Sequence, residues 1–293
     1  MPKAYVFYNP LAGNGRSEDI ASSLKKMITD EMDLCDITDT EIYKEKLSSL
    51  CEGDYVILCG GDGTLNRFVN SIDGMNIEND ILYYPVGSGN DFARDLGKVR
   101  GDKPFSIKQY IEELPTVCVN GNKYRFINGV GYGIDGYCCE IGDKLRAESD
   151  KPINYTAIAI KGLLFHYKPK NARVTVDGVV HTYKNVWLAP TMFGRYYGGG
   201  MLPTPGQTRT ESKDKLATLV LHTPFPLRVL MIFPSIFKGE HVKFKKNVEI
   251  LSGKEITVEY DRPAPIQIDG ETILGVTSYT ARAYAKEPEY VNN

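Results

Sequence analysis

Asp54-Tyr55-Val56-Ile57-Leu58-Cys59-Gly60-Gly61-Asp62-Gly63-Thr64-Leu65-Asn66-Arg67-Phe68-Val69-Asn70-Ser71 is the stretch on which the reading of the fold turns. Residues 55–59 form a short apolar run without helical spacing, bounded by turn residues, as in a buried strand of a parallel sheet. Three glycines then surround Asp62, and Leu65, Phe68, Val69 and Ile72 recur at helical spacing. The order is strand, glycine turn, helix, with Thr64 near the helix start. Glycine lets the backbone turn sharply and approach a ligand, and a helix N-terminus offers unpaired N–H groups. Phosphate suits that arrangement. Asp62 would repel phosphate unless a cation lies between them, and a Mg²⁺ held partly by water reconciles the two. From this stretch alone, a plain tight turn explains the glycines equally well.

Two further stretches favour the ligand. Asn9-Pro10-Leu11-Ala12-Gly13-Asn14-Gly15-Arg16-Ser17 follows a strand-like run at 4–8 and precedes a helical pattern. Pro85-Val86-Gly87-Ser88-Gly89-Asn90-Asp91-Phe92-Ala93-Arg94 follows a strand-like run at 81–84 and also precedes a helix. Three such units would gather their loops at the carboxyl ends of parallel strands, where open α/β sheets bind ligands.

The 293 residues suffice for two modest domains, each with its own core. A net charge of −2 gives no global pull toward nucleic acid, and no nucleic-acid partner is expected. The N-terminus enters a strand at once without a signal-peptide apolar region. The longest apolar candidate, 224–237, is interrupted by Pro226, Arg228 and Pro234, so no spanning segment is expected. Six cysteines without a C-x₂-C pattern fit a reduced, cytoplasmic protein, and four scattered histidines argue against zinc.

Strands and helices alternate from residue 1 to about 115, with helices expected over 38–50 and 106–114 and an amphipathic one marked by Ile20, Leu24, Met27 and Ile28. This pattern implies a doubly wound parallel sheet. Beyond Thr116 short strand signals alternate with glycine, proline and Asp-Gly turns, as at 116–119, 125–127, 172–176, 185–189, 217–222, 254–260, 266–268 and 278–284. They predict a β-sandwich with a helical insertion at 155–165. The expected domains are therefore 1–115, α/β, and 116–285, β-sandwich; the family resemblance described next implies an active site in the cleft between them.

Gly60-Gly61-Asp62-Gly63-Thr64 resembles the signature shared by diacylglycerol kinases, sphingosine kinases, NAD kinases and phosphofructokinases. Asn9-Pro10 with Gly13, and the 87–94 run, narrow the resemblance to the diacylglycerol kinase catalytic-domain family, nearest the soluble bacterial lipid kinases. It extends over nearly the whole chain and implies that residues 286–293 return to the first domain. It also implies ATP as phosphoryl donor, bound by Asn9, Gly13, Asn14, Gly15, Gly60, Gly61, Asp62, Gly63, Thr64, Gly87, Ser88, Gly89, Asn90 and Asp91. Asp62 would act through Mg²⁺. A lipid alcohol would be the acceptor, with peripheral membrane contact; a homodimer is compatible with the sequence.

In the second half, Gly131-Tyr132-Gly133-Ile134-Asp135-Gly136 is a literal G-x-G-x-x-G. It lies in the β-rich half without a surrounding βαβ unit, which argues against a dinucleotide site. The run 126–135 instead resembles the lipid-kinase pattern after the domain junction, structural or a cleft wall. Tyr196-Tyr197-Gly198-Gly199-Gly200-Met201 also matches the family. Asp214 matches an aspartate that can hold a second, structural Mg²⁺, although Lys215 replaces the usual glycine. Two Asp-Gly hairpins, at Asp177 and Asp269, compete for a catalytic role. Only Asp269 has a second acid nearby, and the resemblance implies Asp269 as proton acceptor and Glu271 as its supporting acid. Three departures stand out: Arg67 in place of glutamate, Pro115 in place of aspartate, and Ala189-Pro190-Thr191 on the expected acceptor side. Phe165, Tyr167, Phe193, Tyr196 and Tyr197 are candidates for an apolar groove. The alternatives are a kinase of a soluble acceptor such as NAD, and a catalytically silent lipid- or nucleotide-binding protein.

Overall fold

A computed structural model describes residues 2–10, 19, 22–148, 153–211 and 213–284, apart from the side chains of residues 40, 42, 43 and 156. Gly13, Asn14, Gly15 and the returning segment 286–293 lie outside the described residues, as does Ile20 of the first expected helix. There Asp19, Ser22 and Ser23 are helical and a short 3₁₀ turn, Leu24–Lys26, follows, with Leu24 fully buried.

The first sheet has four parallel strands, β1 (Lys3–Tyr8), β2 (Glu31–Asp36), β3 (Tyr55–Gly60) and β4 (Asp80–Pro85), in the order β2-β1-β3-β4. A two-residue strand β5 (Phe105–Ser106) runs antiparallel beside β4. Among the described residues the layer includes the helices α1 (Thr40–Ser48), α2 (Asp62–Ser71), α3 (Asp91–Asp95) and α4 (Lys108–Ile111). Leu65, Phe68, Val69 and Ile72 of the α2 stripe are buried with Phe7, Val56 and Leu58 of the sheet. The chain leaves β1 toward β2 on one side and β3 on the other. That reversal opens a crevice at the carboxyl ends of β1 and β3, as in other doubly wound sheets.

The second sheet comprises β6 (Thr116–Val119), β7 (Asn122–Arg125), β8 (Gly129–Tyr132), β9 (Lys170–Val176), β10 (Val179–Leu188), β11 (Thr191–Met192), β12 (Leu216–His222), β13 (Val248–Gly253), β14 (Glu255–Ile268) and β15 (Glu271–Arg282). What the sequence suggested as two strands, 254–260 and 266–268, is one bent strand, β14. Its register against β15 shifts between Glu259 and Ala264, where Pro263 and Pro265 lack the N–H a regular ladder needs. The bend lets its first half pair with β9 and its second with β8. The path β14-β8-β11-β12-β10-β9 then returns to β14, closing a β-sandwich-like domain. Tyr132 stacks on Tyr260 inside it, ring centroids 3.8 Å apart.

Three helices cover one side: α5 (Ile134–Glu148), α6 (Tyr155–Lys161), which runs into a π-helical turn Gly162–His166, and α7 (Pro226–Ile236). Two of them form where the sequence analysis named no helix. The G-x-G-x-x-G run does enter a helix, α5, but β8 pairs antiparallel on both sides, so no βαβ unit forms. The interrupted run 224–237 is helical because Pro226 occupies the first turn, where its missing N–H costs nothing.

Candidate active site

Asn9, the 60–63 turn and the 87–90 loop follow β1, β3 and β4, so the strand order brings them to one edge. The glycines there serve different ends. A Cβ on Gly60 would lie 2.4 Å from Thr64 Cβ, and one on Gly87 2.6 Å from Gly61 Cα. The first lets the turn pack on Thr64 of its own helix, and the second lets the two loops touch each other. At Gly63 the nearest atom would be Glu271 Oε1 at 3.9 Å, so packing alone does not require glycine. No side chain caps the N-terminus of α2, whose preceding residue Gly61 is extended.

Asp62 faces the neighbouring helix. Its Oδ2 accepts from the Asp91 N–H at 2.9 Å, and its Oδ1 from Phe92 N–H at 2.9 Å and Asn128 Nδ2 at 3.1 Å. It thus caps α3 from a distance, since Asn90, left-handed at φ +52°, provides no side-chain cap. Asn90 Nδ2 donates instead to Gly87 O at 2.8 Å. Asp91 accepts from Gly199 N–H through Oδ2 at 2.7 Å, while its buried Oδ1 has no partner among the described residues. Burial first, and then the charge of Asp62, push the Asp91 carboxyl up to about 6.

Asp269 opens the hairpin turn between β14 and β15, with φ +48° there and +100° at Gly270. Both signs suit the tight hairpin turn that Asp-Gly favours. Its Oδ1 accepts from the N–H groups of Asn128 (2.9 Å) and Gly129 (3.0 Å). Its Oδ2 accepts from Ile127 N–H (2.6 Å) and Asn66 Nδ2 of α2 (2.8 Å). All four lone-pair directions of the carboxylate are filled. Burial outweighs these donors and pushes Asp269 up to about 6. Glu271 pairs not with this carboxyl but with Arg67, its Oε1 accepting from Nε at 3.0 Å and Nη2 at 2.9 Å. The arginine that departs from the family pattern therefore finds its acidic partner across the domains.

One buried network, only partly visible in sequence, ties these groups together. Arg209 donates to Asp95 Oδ2 (2.8 Å), Ile127 O (2.7 Å) and Asn128 Oδ1 (2.9 Å), and lies over the Phe92 ring. Asn128, oriented in this way, donates to Asp62 with its amide and to Asp269 with its backbone. Asn128 belonged to a quoted motif; Asp95 and Arg209 carried no local signal.

Two cavities flank the first turn of α2. One, of about 560 Å³, lies at the strand ends and is lined by Asn9, Thr38, Thr64, Asn66 and Asn70, with Arg67 and Glu271. The other, of about 440 Å³, is walled by Ile134, Ala159, Met201, Phe233 and Phe237. Asp62, Asp91, Asp135 and Asp269 line it too. Asp135 is buried, its Oδ2 lacks a partner among the described residues, and burial pushes it up to about 6. It was the one acid of the 126–135 stretch, which is the signal that marks it. A Cβ on Gly131 would lie 1.9 Å from that oxygen, so the glycine makes room for the carboxyl.

Other expected residues do not come together here. Asp214 is exposed in the turn before β12, and among the described residues no group of three metal-ligating side chains forms. The 189–191 departure is buried, Pro190 O accepting from Thr218 Oγ1 and Thr191 Oγ1 bonding Tyr279 Oη, and it lines neither cavity. Of the five aromatic residues, Tyr197 lines the cavity walled by Ile134 and Ala159. Tyr167 and Phe193 are core, Tyr196 lies under Arg94 and Arg195, and Phe165 is exposed.

Residues 3–118 match the diacylglycerol kinase catalytic domain, and residues 128–288 match the YegS C-terminal NAD kinase beta sandwich-like domain. Together they span the two-domain fold described above. The chain belongs to the diacylglycerol kinase catalytic-domain family, among the bacterial lipid kinases. The diacylglycerol kinase of Mycobacterium tuberculosis (strain CDC 1551 / Oshkosh) is 24% identical over 271 residues, 88% of this chain and 85% of that protein. A solved structure of a diacylglycerol kinase from Bacillus anthracis (strain Sterne) aligns with a TM-score of 0.60 at 18% identity, covering 97% of each chain. That likeness is one of fold.

Proposed function

We propose that the protein transfers the γ-phosphoryl group of ATP, with Mg²⁺, to the hydroxyl of a lipid alcohol such as diacylglycerol. The observation that carries this reading is that the 60–63 turn, the 87–90 loop and the Asp269 hairpin meet at the first turn of α2, with a cavity on either side. Nucleotide fits the one at the strand ends, its phosphates directed at the uncapped N-terminus of α2. Acyl chains fit the one walled by Ile134, Ala159, Met201, Phe233 and Phe237. In this reading residues 1–115 bind nucleotide and 116–285 bring the acceptor and its proton acceptor.

Mg²⁺ fits the acidic pair beside α3. The oxygen open to it is Asp91 Oδ1, with Asp62 adjacent but engaged by three N–H donors. When bound, the ion would offset the charge developing on the phosphates. Asp135 Oδ2, buried and without a partner among the described residues, would accept a hydrogen bond from the acceptor's polar end once the acceptor reaches it. Asp269 would take the hydroxyl proton. With four donors on it, Asp269 must release one, and Asn66 is the only side chain among them. The same saturation favours the silent-binder alternative, in which Asp269 only fastens 127–129.

Membrane contact would be peripheral and the protein cytoplasmic; no described helix is long and apolar enough to cross a bilayer. Incubation with γ-radiolabelled ATP, Mg²⁺ and a panel of diacylglycerol, an isoprenoid alcohol, a sphingoid base and NAD tests the proposal. Label is expected in a lipid product. Label in the NAD fraction alone, or binding without transfer to any acceptor, overturns it.

A further inference from the structure

Arg67 stands on α2 where the family pattern has glutamate, and the acid it meets, Glu271, comes from the hairpin of the other domain. Both line the cavity at the strand ends, and among the described residues there Arg67 is the one cation and Glu271 the one acid. An exposed ion pair of this kind contributes little to folding. The geometry is also short of the strongest form. Nε (3.0 Å) and Nη2 (2.9 Å) both donate to a single oxygen, Oε1, instead of making parallel bonds to the two oxygens. With side chains 59% and 48% exposed, either partner can turn away without disturbing the core.

Two observations point to a different anion for this guanidinium. First, Glu271 Oε1 lies 3.9 Å from where a Cβ on Gly63 would stand, so Arg67 already holds a carboxylate oxygen over the first turn of α2. That turn has no side-chain cap, so its N–H groups favour an anion, and phosphate oxygens suit the guanidinium fork as a carboxylate does. Second, the pair stands beside the proton acceptor. Asn66, the residue before Arg67, donates to Asp269 at 2.8 Å, and Glu271 follows Asp269 on the same hairpin. A phosphoryl group moving from the strand ends toward Asp269 therefore passes within reach of Arg67. Positive side chains at the transferred group are a recurring need of this chemistry.

We propose that Arg67 binds the terminal phosphate of the nucleotide, and that Glu271 occupies the guanidinium until the nucleotide displaces it. Glu271 is then a stand-in anion and not the supporting acid of Asp269. This rests on the kinase reading above, but its readout is binding and not transfer. Calorimetry of the full chain with Mg²⁺ and ATP, ADP or AMP tests it in wild type, Arg67→Gln, Glu271→Gln and the double variant. Arg67→Gln is expected to weaken ATP on the order of tenfold or more, ADP less and AMP hardly at all. Glu271→Gln, which releases the guanidinium, is expected to tighten ATP severalfold, a gain that disappears when Arg67 is also replaced by Gln. An unchanged preference for ATP over ADP in Arg67→Gln overturns the proposal, since a mere tie between the domains would affect all three nucleotides alike. So does a Glu271→Gln gain that persists without Arg67, because the acid then acts through its own charge alone. Wild type that binds no nucleotide overturns the proposal and the kinase reading together. ATP preference lost in Arg67→Gln, while wild type phosphorylates no lipid, supports the proposal and removes the lipid acceptor alone.

Discussion

At Asp269 two carboxylate oxygens receive four N–H donors, whereas an asparagine offers one accepting oxygen and turns an NH₂ toward the other pair. Asp269→Asn is therefore expected to lose stability, on the order of 2–4 kcal/mol, as well as turnover. Asp177 is the matched control: it also opens a left-handed Asp-Gly turn and accepts from Lys254 and Glu255 N–H groups, but at an exposed site. Its asparagine variant should cost less than about 1 kcal/mol in a urea titration; equal losses would contradict the difference in burial. Asp135 gives a pH test. Its carboxyl is raised from the ordinary 3.8 to about 6, so between those values the native state holds more protons than the unfolded one. That contribution to stability is present at low pH and falls as pH rises through the window. Asp135→Asn, which cannot ionise, is expected to gain melting temperature relative to wild type between about pH 4 and about pH 7. A constant difference would contradict a buried, titrating carboxyl. The pattern of the chain marked Asp269 through its acidic neighbour, but its four donors come from residues some 140 or more positions distant, which no local reading could assemble.

The first turn of α2 separates the two cavities, and Gly63 is the residue there whose glycine character packing does not explain. Alanine suits a helix better than glycine, by up to about 1 kcal/mol. Gly63→Ala is accordingly expected to melt no lower than wild type while binding ATP more weakly by calorimetry. Lower stability with unchanged affinity would return the glycine to a structural part. Elements whose burial follows their periodicity were legible: the β3 run and the α2 stripe are where the spacing placed them. β2 was not, because Glu31, Asp33 and Asp36 dilute an edge strand that buries Cys35 alone. α5 was hidden by glycines read as turn residues. Gly131 and Gly136 instead admit the Asp135 carboxyl and the Pro265 carbonyl, and neither breaks the chain. α7 was hidden by two prolines, Pro226 in its first turn and Pro234 inside the helix.

Across the whole molecule, Arg209 is the most buried of several ties between the two domains: it lies in a loop of the second and pairs with Asp95 of the first. Removing it leaves Asp95 with only the partly exposed Arg195, and Asn128 loses its orientation. Arg209→Met is expected to cost on the order of 3–5 kcal/mol of stability. A urea midpoint close to wild type would show that the domains are held otherwise. The cavities are lined by residues distant in the chain, so their linings could not be read from composition. A single variant separates donor space from acceptor space. Ala159 is buried on the wall of the proposed acceptor cavity and lies in the second domain, away from the strand ends. In Ala159→Trp the indole would occupy acceptor space. The account predicts that kcat/KM for long-chain diacylglycerol falls by roughly tenfold or more while the calorimetric Kd for Mg-ATP is unchanged. Undiminished lipid phosphorylation in that variant, or loss of ATP binding together with it, would contradict separate donor and acceptor cavities.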